Sequence, residues 1–186
     1  VAAQTVVLPP HAAPRVQYGA ARLKTVLKPG WRVIVGVGDG KNKEGFSITA
    51  HDKVVHIYGD AASGALYGCL ELAERLRTGE PLTVSQRPEM ILRGACIGVQ
   101  KPALLPGRGP YEYPYTPKNF PWFYDKQLWT SYLDSMVDNR MNTLYLWNGH
   151  PFASLVRLPD YPYAVEVDDA TFRKNEEMYR WLVTEA

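Results

Sequence analysis

Cysteine is scarce in this chain: two residues, Cys69 and Cys96, in 186. They show no CxxC spacing and have no companion cluster of ligands, so neither a disulfide framework nor a structural zinc site accounts for the fold. One falls on an expected helix and the other on an expected strand of a different domain, and both read as buried, unpaired thiols. Long apolar runs are also missing. No stretch approaches the roughly 18 to 20 residues that span a bilayer, and no charged-then-apolar leader stands at the start. Nor does one sign of charge dominate: 21 basic and 19 acidic residues leave a net +2. Without a Lys/Arg run, nucleic acid and anionic membranes are poor partners, and a small neutral ligand fits better. Metal and cofactor signatures are lacking too. Gly36, Gly38 and Gly40 follow a strand, but no helix opens after them and the G-x-G-x-x-G spacing is not met.

What is present is a chain long enough to bury a core unaided, 46% hydrophobic, with twelve Tyr and five Trp. Clustered aromatics serve either sugar stacking or core packing. The first 80 residues read as β-α-β-β-β-α: a strand at Thr5–Leu8, a helix from Pro14 to Lys28 and a strand at Trp31–Val37. A hairpin over residues 44–59 follows, then a helix from Ala61 to Arg77 with Asp60 as N-cap and Thr78-Gly79 as its stop. Leu66, Cys69, Leu70, Ala73 and Leu76 form that helix's apolar stripe. This pattern predicts a small α+β domain, a sheet with two helices on one face. Residues 81–90 read as a connector.

A second strand system then begins with Ile91–Val99. Arg93 is its anomaly: an arginine among Leu, Ala, Cys and Ile must face solvent or be held against polar partners, because an unpaired buried charge costs several kcal/mol or more. Residues 100–125 form a long loop with Tyr111, Tyr113, Tyr115, Phe120, Trp122, Phe123 and Tyr124, expected as a folded rim, a ligand platform or a partner surface. Lys126–Asn139 reads as a helix with Leu128, Trp129, Tyr132, Leu133, Met136 and Val137 inward. Thr143–Trp147 is a β-prone run with little alternation, as expected of a parallel strand covered on both faces. Strand, helix and strand make a βαβ unit with parallel strands. Asn148-Gly149-His150-Pro151 ends the strand abruptly, at the edge where α/β proteins gather binding groups. Asp169–Ala186 closes the sequence as an amphipathic helix with Phe172, Met178, Tyr179, Leu182 and Val183 inward. Asp168-Asp169 reads as its N-cap and Glu176-Glu177 as a solvated face.

The order Gly64-Ala65-Leu66-Tyr67-Gly68, then Leu92-Arg93-Gly94, then Met141-Asn142-Thr143-Leu144 resembles family 20 glycoside hydrolases, the β-hexosaminidases, over roughly residues 30 to 186. The resemblance implies a non-catalytic α+β domain (1–80), a connector (81–90) and the first two β/α units of a (β/α)8 barrel (91–186). It implies a terminal sugar of an oligo- or polysaccharide as substrate, no cofactor and no metal. It makes Arg93 a sugar-binding residue, expected to point into the barrel and to join Trp147, Asn148 and His150 in one rim. The catalytic carboxylates are expected beyond Ala186, with the remainder of the barrel as partner. Trp147-Asn148-Gly149-His150-Pro151 departs from the His-Leu-x-Asp-Asp run of those hexosaminidases. That departure leaves α-glucuronidases and other polysaccharide-degrading relatives as alternatives, and a non-catalytic carbohydrate-binding or assembly module as a reading from another class. The small, uncharged Val1–Gln4 stretch fits either the remnant of a cleaved signal or a trimmed domain edge, so a periplasmic or secreted location is the expectation.

Overall fold

The computed structural model describes residues 5–40, 44–101, 103–110, 112–147 and 151–186. The chain divides after Ile91 into two compact units.

The first unit contains β1 (Thr5–Val7), α1 (Pro14–Lys24), β2 (Arg32–Val37), β3 (Phe46–His51), β4 (Val54–Gly59), α2 (Ala62–Thr78) and β5 (Val84–Gln86). Its sheet has the order β1-β2-β4-β3-β5, with β1, β2 and β4 parallel and β3 antiparallel to both neighbours. Alternation along the strands sorts the side chains. Val33, Val35, Phe46, Ile48, Val55 and Ile57 are buried, as are Val16, Ala20 and Leu23 of α1 and Cys69, Leu70 and Ala73 of α2. Arg32, Thr49 and His56, at the alternate positions, are exposed. The first turn of α2 lies directly on the end of the hairpin. A Cβ at Gly59 would stand 2.0 Å from the Ala65 nitrogen, and one at Gly64 2.1 Å from the Gly45 carbonyl oxygen. Only glycine permits that approach. The helix ends as expected at Gly79, whose φ of 79° is the left-handed cap that glycine adopts without strain.

Two expectations for this unit are corrected. Asp60 is not the N-cap of α2, which begins after Ala61 with no side-chain cap. Its backbone is tied to Gly45 and Gly40 by bonds of 2.8 Å each, and its carboxylate lies 3.5 Å from the Arg87 guanidinium. The 81–90 stretch is not a plain connector, because Val84–Gln86 adds an edge strand to β3. Three residues are too few to show an alternation.

The second unit contains β6 (Gly94–Gly98), α3 (Lys126–Asp138), β7 (Thr143–Trp147) and α4 (Asp169–Glu185), with single turns of 3-10 helix at Pro121–Tyr124, Pro151–Ala153 and Pro162–Ala164. The strands are parallel, as the βαβ reading requires, with Gly94 opposite Thr143 and Gly98 opposite Trp147. Asp125 caps α3 by accepting from Leu128 N–H at 3.0 Å, and Asp168 caps α4 by accepting from Thr171 N–H at 2.7 Å. The core is aromatic: Tyr113, Tyr115, Phe120, Phe123 and Trp129 are buried with Val99, Met178 and Leu182, and Ile97, Leu144 and Leu146 of the strands pack against them.

Several expectations for this unit shift. The first strand begins at Gly94, and Ile91 and Leu92 before it are exposed. Leu128 and Val183 also face solvent, each about 100° around its helix from the buried stripe of Trp129 or Leu182. Strand β7 is covered on one face only, leaving Tyr145 58% and Trp147 47% exposed. Both cysteines are free, as expected, but only Cys69 is buried; Cys96 is exposed on the open face. No helix among the described residues is long and apolar enough to cross a membrane.

Candidate functional site

The strand pair has two dissimilar faces. Ile97, Leu144 and Leu146 face the aromatic core. Because paired residues of parallel strands point the same way, Gly94, Cys96 and Gly98 share the opposite face with Thr143, Tyr145 and Trp147. Neither strand carries a carboxylate. At the carboxyl edge the chain of β6 continues past Gly98, with Val99 N–H donating to the Trp147 carbonyl at 3.0 Å. A Cβ on Gly98 would stand 2.3 Å from the Gln100 side-chain nitrogen. The Gln100 amide therefore folds across Gly98, on the open face and in register with Trp147. It is a polar group at the strand end that the sequence reading passed over; its only signal was its place just after the strand.

Arg93 lies at the other edge. Its backbone N–H donates to the Asn142 side-chain oxygen at 2.9 Å, its carbonyl accepts from Asn142 N–H at 2.7 Å and Thr143 N–H at 3.1 Å, and its Nε donates to the Arg140 carbonyl at 2.9 Å. Arg140, in the left-handed region at φ 59°, turns the chain there. Gly94 and Trp147 are four register positions apart, about 13 Å at the usual rise. The described residues thus do not bring Arg93 and Trp147 to one edge, and Ile97, which by alternation shares a strand face with Ala95 and the Arg93 position, belongs to the helix-packed side rather than to the open face. Asn148 and His150 lie outside the described residues.

Two loops leave the carboxyl edge, one after each strand, and polar contacts join them. Asn175, fully buried on α4, donates through Nδ2 to the carbonyls of Tyr115 (2.9 Å) and Ser154 (3.1 Å), and its Oδ1 accepts from the Tyr124 hydroxyl. Ser154 Oγ accepts from Tyr115 N–H at 2.7 Å. Nearer solvent, Arg108 pairs with Glu166 at 2.7 Å, and Lys101 stands 5.1 Å over the Tyr113 ring. Burial pushes the Tyr115 and Tyr124 phenols upward, with Tyr179 nearby adding to both shifts. They stay neutral at any physiological pH. Of the aromatic loop expected as a folded rim, a ligand platform or a partner surface, Tyr113, Tyr115, Phe120 and Phe123 are core, Trp122 and Tyr124 pack against them partly buried, and Tyr111 lies outside the described residues. Among the described residues no group of three His, Cys, Asp or Glu is placed to hold a metal ion.

The chain matches no family model and none of the curated proteins. Solved structures do match. A GH138 enzyme targeting pectin rhamnogalacturonan II is 46% identical over 98% of this chain, with a TM-score of 0.87, and the chain covers 29% of it. The GH20 β-N-acetylhexosaminidase of Streptomyces coelicolor A3(2) is 16% identical over 99% of this chain, with a TM-score of 0.55 and 40% of that structure covered. The GH20 chitobiase of Flavobacterium johnsoniae is 11% identical over 97%, with a TM-score of 0.55 and 30% covered. The chain therefore spans well under half the length of these structures. The two hexosaminidase likenesses show the fold, and the resemblance to family 20 glycoside hydrolases holds at that level.

Proposed function

We propose that this chain is the N-terminal part of a glycoside hydrolase in which β6 and β7 are the first two strands of a (β/α)8 barrel and their open face is its interior. The observation that carries the reading is 46% identity across 98% of the chain to a GH138 enzyme. The geometry supports it. Helices cover one face of the parallel pair, while Cys96, Tyr145 and Trp147 on the other await the layer that a closed barrel supplies. The substrate class is a pectic polysaccharide of the rhamnogalacturonan II type rather than an N-acetylhexosaminide, consistent with the departure at Trp147–Pro151.

In this reading the first unit, through Ile91 and with its edge strand at Val84–Gln86, is the non-catalytic domain, and the substrate rim at the carboxyl edge includes Trp147, Gln100 and the Asn148 and His150 that follow. Arg93 holds the amino edge through Arg140 and Asn142. Hydrolysis needs two carboxyl groups flanking the glycosidic bond, and these come from later strands. A polysaccharide substrate goes with a periplasmic or secreted location. A carbohydrate-binding module built on the aromatic loop is the weaker reading, since Tyr113, Tyr115, Phe120 and Phe123 are spent on the core.

The test is hydrolysis of rhamnogalacturonan II oligosaccharides. A protein containing these residues and the later strands releases sugar, and the purified 186-residue chain does not. Turnover by the short chain alone, or inertness of the longer protein on every pectic oligosaccharide, would overturn the proposal.

A further inference from the structure

Asn175 occupies a position where α4 otherwise places apolar residues: Phe172, Met178 and Leu182 are its buried neighbours on the same stripe. A buried amide must use its hydrogen-bonding capacity or lose stability through desolvation. Here both donors and the oxygen are used, and each goes to a different segment: the Tyr115 carbonyl, the Ser154 carbonyl and the Tyr124 hydroxyl. None is spent on its own helix. Tyr115 and Ser154 belong to the two loops that leave the carboxyl edge of β6 and β7, and the Tyr115 N–H to Ser154 Oγ bond joins those loops directly. Neither loop has a sheet or long helix to hold it, so this buried set of contacts fixes one against the other. The Leu155 and Val156 amides, both bonded to the Pro151 carbonyl, lie in the same anchored turn.

We infer that Asn175 is a positioning residue that makes the segments around Tyr115 and Ser154 one body at the strand ends, and so sets the shape of the substrate rim. The rim part rests on the glycoside hydrolase reading; the coupling of the two loops does not.

The experiment uses the full-length protein, with Asn175→Ala and Ser154→Ala, and rhamnogalacturonan II oligosaccharides as the probe. Asn175→Ala is expected to raise KM at least about fivefold with kcat within about twofold, and Ser154→Ala to move KM the same way by about two- to threefold. Hydrogen exchange supplies a second readout. In both variants the amides of Tyr115, Leu155 and Val156 exchange faster together, by about tenfold in Asn175→Ala, while the β6–β7 ladder stays within about twofold. Exchange that rises equally through the strands means a merely structural role and overturns the inference, as does loosening confined to one loop or an unchanged KM in both variants. If Asn175→Ala does not fold, Ser154→Ala decides by the same two measurements. A wild-type protein that neither binds nor cleaves the probe overturns the functional reading, and exchange in the two loops then still decides the coupling.

Discussion

The two units bury apolar residues on one face of a sheet and differ in what they leave on the other. In the first, the open face is mixed, carrying Arg32, Thr49 and His56 beside Val7, Val54 and Tyr58 on a sheet of five strands. In the second it carries Cys96, Tyr145 and Trp147 on a sheet of only two strands. A mixed face on a five-stranded sheet can stand in water, whereas an aromatic face on a strand pair is the kind of surface that the proposed barrel would cover.

Thiol chemistry gives the widest expected separation between the units, each of which holds one cysteine. Cys69 sits on the buried face of α2, and burial pushes its thiol up to about 12. At pH 8 its thiolate fraction is then on the order of a thousandfold below that of an ordinary cysteine, before steric exclusion is counted. Cys96 is exposed on the open strand face. Alkylation of the native 186-residue chain should therefore modify exposed Cys96 far faster than buried Cys69, by about two orders of magnitude or more, as peptide mass mapping over time will show. In a longer protein that closes the barrel, Cys96 should become protected. Equal rates in the short chain break the contrast, and protection of Cys96 in the long one sharpens it.

The next effect is thermodynamic and compares two aromatic residues of the second unit. Phe123 is fully buried, edge-on to Trp122, Tyr124 and Trp129. Phe123→Ala should destabilise that unit by about 3 to 5 kcal/mol, the usual range for emptying a packed aromatic site. Trp147→Ala, at a side chain 47% exposed, should change it by about 1 kcal/mol or less in this chain. Urea unfolding followed by far-UV circular dichroism measures both. A large loss for Trp147→Ala would mean that the open face is already covered.

Sequence and structure agree most closely where a repeating pattern spans a whole element. Ala62–Thr78, Lys126–Asp138 and Thr143–Trp147 lie within a residue or so of their expected bounds, because apolar positions at helical spacing mark the two helices and an unbroken β-prone run ended by Asn148-Gly149 marks the strand. What failed depended on tertiary context. Val84–Gln86 becomes a strand only because β3 offers it an edge. The aromatic loop was left open between a folded rim, a ligand platform and a partner surface because no local pattern distinguishes rings that stack on sugar from rings that fill a core. Arg93 was placed on the strand by composition, yet its bonds to Asn142 and Arg140 belong to the amino edge. Asn175 was invisible, one polar residue in an amphipathic helix, since the loop carbonyls that give it meaning are 21 and 60 residues away.

The smallest effect separates the units by how their helices begin. Helix α2 of the first unit starts without a side-chain cap, whereas α4 of the second starts at Asp168. The Thr171 backbone N–H, followed by the Thr171 side chain, holds the Asp168 carboxyl below the usual carboxylate range. A group whose folded-state pKa is depressed stabilises fully above its unfolded value, about 3.9 for aspartate, and loses that contribution as pH falls through the folded value. Asp168→Asn keeps a good cap but removes the titration. The stability difference between wild type and Asp168→Asn should therefore be constant from about pH 7 to pH 5 and shift against the wild type below about pH 4. Thermal melts at intervals across that range read it directly. A difference that stays flat to the lowest pH at which both proteins fold would show that the cap carries no charge-dependent stability, and would remove this distinction between the two units.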